Sequence, residues 1–199
     1  KETVGTFQNT FKNVTIDSEK PLNIAISKFQ YAKDVYQTIF SVPEDSTLTL
    51  NNVQLSIADN NTLENIGTIK MDNTSSITIP TGATLKNAGT ISGTVSGQID
   101  QYVARVNGVG YATLEEALNA TSNNDIVYIL ENITISSPIS TKKALTFEGV
   151  TKADGTKPVI RSTGANGLFS QAGDAVYTIK NLTLEASSGG QWYIYHSAN

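Results

Sequence analysis

The heptapeptide Leu63–Ile69, LENIGTI, recurs 22 residues later as Leu85–Ile91, LKNAGTI. Recurrence at a short fixed spacing is typical of repeat architectures in which each copy is one pass of the chain around a common core. Apolar and polar residues alternate in both copies, as they do in strands that turn one face inward. We therefore predict an all-β chain that forms a parallel β-helix, or β-solenoid, with coils of about 22 residues. An antiparallel β-sandwich stays open as the alternative, because alternation alone does not separate the two folds.

A second recurrence has a much longer spacing. Thr10–Asp17, TFKNVTID, returns 168 residues later as Thr178–Glu185, TIKNLTLE. This spacing indicates a tandem array of large modules, of which the chain is a segment. We predict that residues 1–100 are the C-terminal coils of one unit and residues 101–199 the capped N-terminal coils of the next, or that both share one continuous stack. Neighbouring repeats are then expected partners, and open solenoid ends favour self-association.

One short helix is predicted, near residues 113–120. Thr113 suits the N-cap position and Glu116 follows three residues later, which is the pattern of a capping box. Two turns of helix do not hold by themselves in water, so this helix must pack on something. We expect it to cover the open end of the following strands. The first of these, Ile126–Leu130, is apolar almost throughout and is predicted to be buried on both faces.

Composition excludes several classes of function. The 199 residues carry a net charge of −4, which leaves no basic surface for nucleic acid. Cysteine is absent, which excludes disulfides and thiolate chemistry. No apolar stretch approaches the roughly 20 residues of a membrane-spanning helix, so no membrane insertion is expected in this segment.

The second half of the chain carries a resemblance to a known family. Val103–Leu118, VARVNGVGYATLEEAL, is followed by Asp125–Leu130 and by Asn132–Ile135. This order resembles the opening motif of pectate-lyase-like parallel β-helix repeats in large bacterial cell-surface proteins. The resemblance covers about residues 103–149 and is only compositional over residues 1–100. It implies a right-handed parallel β-helix and an extracellular or cell-surface location, but no particular activity.

Catalytic and metal sites are not predicted. Polysaccharide lyases that the chain resembles use clustered acidic residues, often with Ca²⁺, beside a catalytic Arg or Lys. Arg161, with Asp154 and Asp174 nearby in sequence, is the one weak cluster of that type, and we interpret it as an outer face with two turns. His196, the single histidine, is not expected to bind a metal. We therefore predict no catalytic residue, no metal site and no cofactor.

Aromatic residues near the end of the chain are the candidate ligand site. Aromatic faces stack on sugar rings, so Trp192, Tyr193 and Tyr195 are candidate contacts for host or environmental glycans. A structural feature is predicted at Asn65 and Asn87, which hold equivalent places in the heptapeptide. Stacked Asn side chains bond to one another and to adjacent backbone at a bend.

These observations favour a structural or adhesive β-solenoid module of a repetitive bacterial surface protein, which extends or displays a binding surface. The alternative is a carbohydrate-binding or polysaccharide-degrading β-helix, a lyase or hydrolase, whose active coils are absent from this segment or not recognised. An enzyme would present a groove lined with carboxylates and cations, whereas a stalk would present flat faces of Thr, Ser and Asn.

Overall fold

Parallel strand pairing dominates the structure. The computed structural model describes residues 3–31, 34–152, 154–164, 166–186 and 194–196. Within these ranges all but three strand pairs are parallel. The predicted all-β class is confirmed, with mostly parallel sheets, and the antiparallel sandwich is wrong. Alternation predicts strands but carries no information on their direction, so only the pairing could decide this point.

The chain divides into two compact units, Lys1–Gln101 and Tyr102–Asn199. Each unit has a hydrophobic core of its own among the described residues. No helix in the described ranges has the length and hydropathy that crossing a bilayer requires.

Two sheets make up the described part of the first unit. Its strands are β1 (Thr3–Thr10), β2 (Val14–Ile26), β3 (Phe29–Tyr31), β4 (Asp34–Val42), β5 (Thr47–Ile57), β6 (Thr62–Asn65), β7 (Thr68–Met71), β8 (Ser76–Thr78), β9 (Thr84–Asn87), β10 (Thr90–Ser92), β11 (Thr94–Ser96) and β12 (Ile99–Gln101). One sheet has the order β1-β4-β6-β9-β12, with β3 beside β4. The other has the order β10-β7-β5-β8-β11, with β2 beside β5.

The two copies of the heptapeptide are parallel neighbours that lie in register. Leu63 lies opposite Leu85, and both side chains are fully buried. The 22-residue spacing does not hold along the whole unit, because Phe40 lies opposite Leu63 and Leu85 lies opposite Ile99. Hydrogen bonding fixes the distance between neighbouring strands, while the connecting loops absorb differences in chain length.

Strand β5 shows how the chain bends without losing its inward face. Leu48 and Leu50 in its first half and Leu55 and Ile57 in its second half are buried. Alternation shifts by one residue between the halves, at Asn52, whose φ is 57°. Asn tolerates this left-handed conformation better than most residues, so the bend returns apolar side chains to the core. The first half then pairs with β7 and the second with β8.

The described part of the second unit has two parallel sheets, one mixed sheet and one helix. Its elements are β13 (Ala104–Val106), β14 (Val109–Tyr111), α1 (Leu114–Ala120), β15 (Ile126–Ile129), β16 (Ile133–Ile135), β17 (Ile139–Thr141), β18 (Leu145–Gly149), β19 (Val159–Ser162), β20 (Phe169–Gln171), β21 (Tyr177–Lys180), β22 (Thr183–Glu185) and β23 (Ile194–His196). The parallel orders are β15-β18-β21, β16-β19-β22 and β17-β20-β23. Strands β13 and β14 form an antiparallel hairpin, and β13 also pairs antiparallel with β15.

The predicted helix and its capping box are confirmed. The Thr113 hydroxyl accepts a hydrogen bond from the Glu116 N–H, and the Glu116 carboxylate accepts one from the Thr113 N–H. Leu114 and Ala117 are buried in the core of the second unit. The helix therefore packs on the core of its own unit, as its short length required.

Lys143 completes the other end of the helix, and sequence analysis missed it. Its Nζ donates to the carbonyl oxygens of Leu118 at 3.1 Å and Thr121 at 2.5 Å, and contacts the Thr121 hydroxyl at 3.1 Å. The ammonium group thus adds a donor to the Leu118 carbonyl, which also accepts from the Thr121 N–H, and it complements the negative end of the helix dipole. Long separation in sequence hides such a cap, because Lys143 lies in the loop before β18.

Strand β15 differs from its prediction. Val127 and Ile129 are fully buried, but Ile126 and Tyr128 on the opposite face are only half-buried. The Arg105 guanidinium lies 4.8 Å from the centre of the Tyr128 ring, a cation–π contact. An aromatic ring in contact with a cation is compatible with a partly solvated surface. The nearly continuous apolar sequence of β15 therefore does not require that both faces of the strand are buried.

Candidate functional site

The outer face of the β5 sheet in the first unit carries rows of hydroxyl side chains, which we name the hydroxyl face. One row comprises Thr47, Thr68 and Thr90, which lie opposite one another on β5, β7 and β10. A second row on β5, β8 and β11 comprises Ser56, Thr78 and Ser96. These side chains point outward because their neighbours in the strands supply the buried core.

Parallel pairing gives the hydroxyl face a regular lattice. Adjacent strands lie about 4.8 Å apart, and alternate residues along a strand lie about 6.6 Å apart. Lys70 is the one charged residue in the row that runs from Thr49 to Ser92. The result is a polar surface with little charge in these rows, which differs from the concave, apolar sites that small ligands prefer.

A ladder of amide side chains runs along one corner of the first unit, as predicted. The Asn65 Nδ2 group donates to Asn87 Oδ1 at 2.8 Å and to the Thr90 carbonyl oxygen at 3.1 Å. The Asn87 Nδ2 group continues the ladder by donating to Gln101 Oε1 at 3.0 Å. Asn65 is fully buried. Its amide therefore joins successive strands inside the fold and serves structure rather than ligand binding.

Replacing Asn65 with leucine should lower the free energy of unfolding by about 1–3 kcal/mol, since Asn87 Oδ1 and the Thr90 carbonyl oxygen each lose the hydrogen bond that the buried Asn65 amide donates. Denaturant unfolding followed by circular dichroism measures this loss. The exposed neighbour Lys86, changed to leucine, is the control and should stay within about half a kcal/mol of the unchanged protein. Equal effects of the two substitutions would show that the amide ladder contributes nothing.

The residues of the weak cluster around Arg161, which we interpret as an outer face, make separate contacts. Arg161 Nε lies 2.6 Å from Glu185 Oε2 on the adjacent strand, and both side chains are exposed. Asp154 instead accepts bonds from the Thr156 N–H at 2.9 Å and hydroxyl at 2.6 Å, within a turn at Gly155. Asp174 is exposed beside Gly173. This arrangement matches the predicted outer face with two turns.

Among the described residues, two carboxylates have a lowered pKa, and both stabilise turns. Hydrogen bonding from the Ser75 side chain and from Thr74 lowers the pKa of Asp72, and the Asn52 N–H adds to this effect. Hydrogen bonding from Thr156 lowers the pKa of Asp154. Both shifts favour the ionised form. A general acid needs the opposite shift, so neither carboxylate is suited to that task at neutral pH.

No group of three or more His, Asp or Glu residues that could hold a metal ion occurs in the described ranges. One open groove lies beside α1, between Leu114 and Leu118 on one side and Ser136 to Ile139 on the other, with a volume of about 500 Å³. Its lining combines apolar residues with hydroxyl groups and a single carboxylate, that of Glu115. Such a lining provides no pair of groups for acid–base chemistry.

The predicted sugar contacts fall at the edge of the described structure. Trp192 and Tyr193 lie outside the described residues. Tyr195 belongs to β23, where its backbone lies opposite Ser170, and its side chain is outside what is described. The same holds for the side chain of His196. The aromatic platform therefore remains a prediction.

An aromatic cluster that sequence analysis did not identify lies in the first unit. The Phe7 and Phe29 rings stack with their centres 4.4 Å apart, and the Tyr36 ring lies 6.0 Å from Phe29. Phe11 and Phe40 form a second stacked pair at 4.7 Å. Pairs of this kind add stability beyond the area they bury. The first stack joins β1 and β3, which flank β4, and the second joins the segment after β1 to β4.

Comparison with models of known protein families, with curated proteins and with solved structures found no match to this chain. The resemblance of residues 103–149 to pectate-lyase-like repeats therefore remains a hypothesis. The function of the chain is inferred below from the geometry of the described residues.

Proposed function

We propose that the chain is a right-handed parallel β-helix module of a repetitive bacterial cell-surface or secreted protein, whose task is to extend and display a binding surface. The observation that carries this proposal is that the same strands form columns of inward apolar side chains and rows of outward hydroxyl side chains. Leu63 and Leu85 stand in one inward column, and Thr68 and Thr90 stand in one outward row. A fold of this kind grows by adding coils, so its length increases with each repeat.

Mechanical continuity follows from the same geometry. Neighbouring strands are joined by backbone hydrogen bonds across the stack, and the buried side chains of one strand rest on those of the next. Each added coil extends the stack by about 4.8 Å, the spacing of paired strands. A rigid rod of this type holds a distal binding domain away from the cell surface, where a flexible linker would let it fold back.

Distance measurements on arrays of increasing copy number test the proposal. The chain has no cysteine, so single cysteines introduced at the two ends of an array accept fluorophores at defined positions. We expect the end-to-end distance to grow linearly with the number of copies. A Gly/Ser linker of equal residue number is the control, and its distance grows only as about the square root of length. Square-root growth of the array itself would contradict the proposal.

Activity and binding assays on the same arrays address the alternative function. Release of unsaturated products from acidic polysaccharides would overturn the non-catalytic assignment. A glycan array should be probed with the unchanged protein and with the double variant Trp192→Ala, Tyr193→Ala. Selective binding that the double variant loses would assign the protein to carbohydrate recognition, with those aromatic residues as its site.

A further inference from the structure

The two copies of the octapeptide adopt the same local structure in the two units. In Thr10–Asp17 the chain leaves β1, turns at Asn13 with a φ of 52°, and enters β2. In Thr178–Glu185 it leaves β21, turns at Asn181 with a φ of 51°, and enters β22. Both Asn residues are exposed. Equal conformation at equal positions supports the assignment of the two segments to the same part of one repeated coil.

Exposure follows the same pattern in the two copies. Three apolar positions are half-buried in each, namely Phe11, Val14 and Ile16 in the first copy and Ile179, Leu182 and Leu184 in the second. These positions pack against the core of their own unit. Each copy therefore turns the same face inward.

The two copies pair with neighbours on opposite sides. In the first unit the octapeptide pairs with later strands, with Val14 opposite Leu48 and Ile16 opposite Leu50. In the second unit it pairs with earlier strands, and Leu184 lies opposite Ile160. Among the described residues, β21 and β22 have no strand on their other edge, and neither do β1 and β2. The first unit thus contains the strands that come after this coil, and the second unit contains the strands that come before it.

A third position agrees with this correspondence. Ile26 in β2 lies opposite Ile57, a later residue, whereas Ile194 in β23, which is 168 residues further along, lies opposite Phe169, an earlier residue. Three strands of one coil therefore correspond across the same spacing. Leu50, Ile57, Ile160 and Phe169 are all fully buried, so the inward column continues through the shared coil with apolar residues on both sides.

From this we propose that the free edge formed by β21, β22 and β23 is a docking surface for a second copy of this chain. The second copy continues the polypeptide from its Ala32, so that its β4 and β5 are the strands that follow the shared coil. The inference deepens the proposed function and rests on it only in taking the chain as part of a repetitive protein. It assigns the register as well as the partner. Thr183 corresponds to Thr15, which lies opposite Thr49, so Thr183 should lie opposite Thr49 of the second copy.

Disulfide trapping in a two-copy chain tests this register. Residues 1–199 are continued by a second copy that starts at Ala32, which preserves the 168-residue spacing. Thr183→Cys in the first copy is combined with Thr49→Cys in the second. Because the natural sequence has no cysteine, any disulfide reports only this pair. Paired strands bring Cα atoms to about 5 Å, within the range that a disulfide spans.

Two matched variants calibrate the experiment. Thr15→Cys with Thr49→Cys in the single chain joins a pair that the structure already shows in register, and sets the extent of oxidation to expect. Thr183→Cys with Thr47→Cys places the second cysteine on the same face but two residues away, at about 8 Å, beyond the reach of about 7 Å. Proteins are separated without reductant, and the linked peptides are identified by mass spectrometry.

We expect the Thr183–Thr49 pair to oxidise as fully as the calibrating pair, and the Thr183–Thr47 pair at least about tenfold more slowly. Formation of the calibrating disulfide without the Thr183–Thr49 disulfide would overturn the inference. Equal oxidation of the Thr49 and Thr47 pairs would also overturn it, because the register would then be undefined. The proposed display function fails separately, through the distance measurement, so the two failures are distinguishable.

Discussion

Changing Gly67 to alanine should lower the free energy of unfolding of the first unit by about 3 kcal/mol or more, because the new Cβ has no space. A methyl group at this position would collide with the carbonyl oxygens of Pro43 and Ser46. The Ser46 oxygen accepts a hydrogen bond from the Thr68 N–H at 2.9 Å, so relief of the collision would also break a contact between strands. Gly67 is therefore required because the backbone segments approach closely here. Its φ lies outside the left-handed range, so conformational freedom is not the reason for glycine at this position.

Denaturant unfolding monitored by circular dichroism, with hydrogen exchange to assign the change to the first unit, measures this effect. Gly5→Ala is the matched control, because a Cβ there would make only ordinary contact with the Tyr36 ring at 3.4 Å. Gly89→Ala should repeat the loss, as its Cβ would meet the Gly67 carbonyl. If Gly67→Ala and Gly5→Ala unfold alike, the close approach of the strands at this corner is refuted.

A change of Phe147 to alanine should lower the free energy of unfolding of the second unit by about 3–5 kcal/mol. The side chain is fully buried. Its ring contacts Phe169 edge-on at 5.3 Å and Tyr177 at 5.9 Å between ring centres. Alanine would remove these contacts and leave a cavity in the core, which the surrounding backbone is too constrained to close.

Hydrogen exchange of the β15, β18 and β21 amide groups, measured along a denaturant series, gives the loss for the second unit. The exposed residue Val176, which has 63% of its surface accessible, is the control when changed to alanine, and should have little effect. Because each unit has its own core, protection of the first unit should not change. An equal loss of protection in both units would mean that they unfold together.

Local features of the fold were open to prediction because short-range chemistry decides them. The Thr113–Glu116 capping box forms as expected, since both partners lie within one turn of helix. The Asn65–Asn87 ladder also forms as expected, because the heptapeptide places equivalent residues on neighbouring strands. In both cases the interacting residues are fixed by spacing along the chain.

Contacts between distant residues could not be foreseen in this way. Lys143, which lies 22 residues after Thr121 in the sequence, caps the end of the helix, and no local sequence pattern predicts that contact. Arg161 selects Glu185 because strand register places them opposite each other, whereas proximity in sequence had suggested Asp154. The number of residues that separates two paired strands also varies. It is smaller between Leu85 and Ile99, which lie opposite each other, than between Phe147 and Ile179, which do so as well.

The amino-acid pattern was sufficient for the strand class, the short helix and the equivalence of repeated segments, because alternation, capping and recurrence are properties of neighbouring residues. Parallel direction, the identity of each strand's neighbours and the space around Gly67 were decided only by the tertiary structure. The physical reason is that these features depend on which backbone groups meet once distant strands have come together. Backbone hydrogen bonds form between any sequences, so register follows from the packing of the buried columns around the whole core.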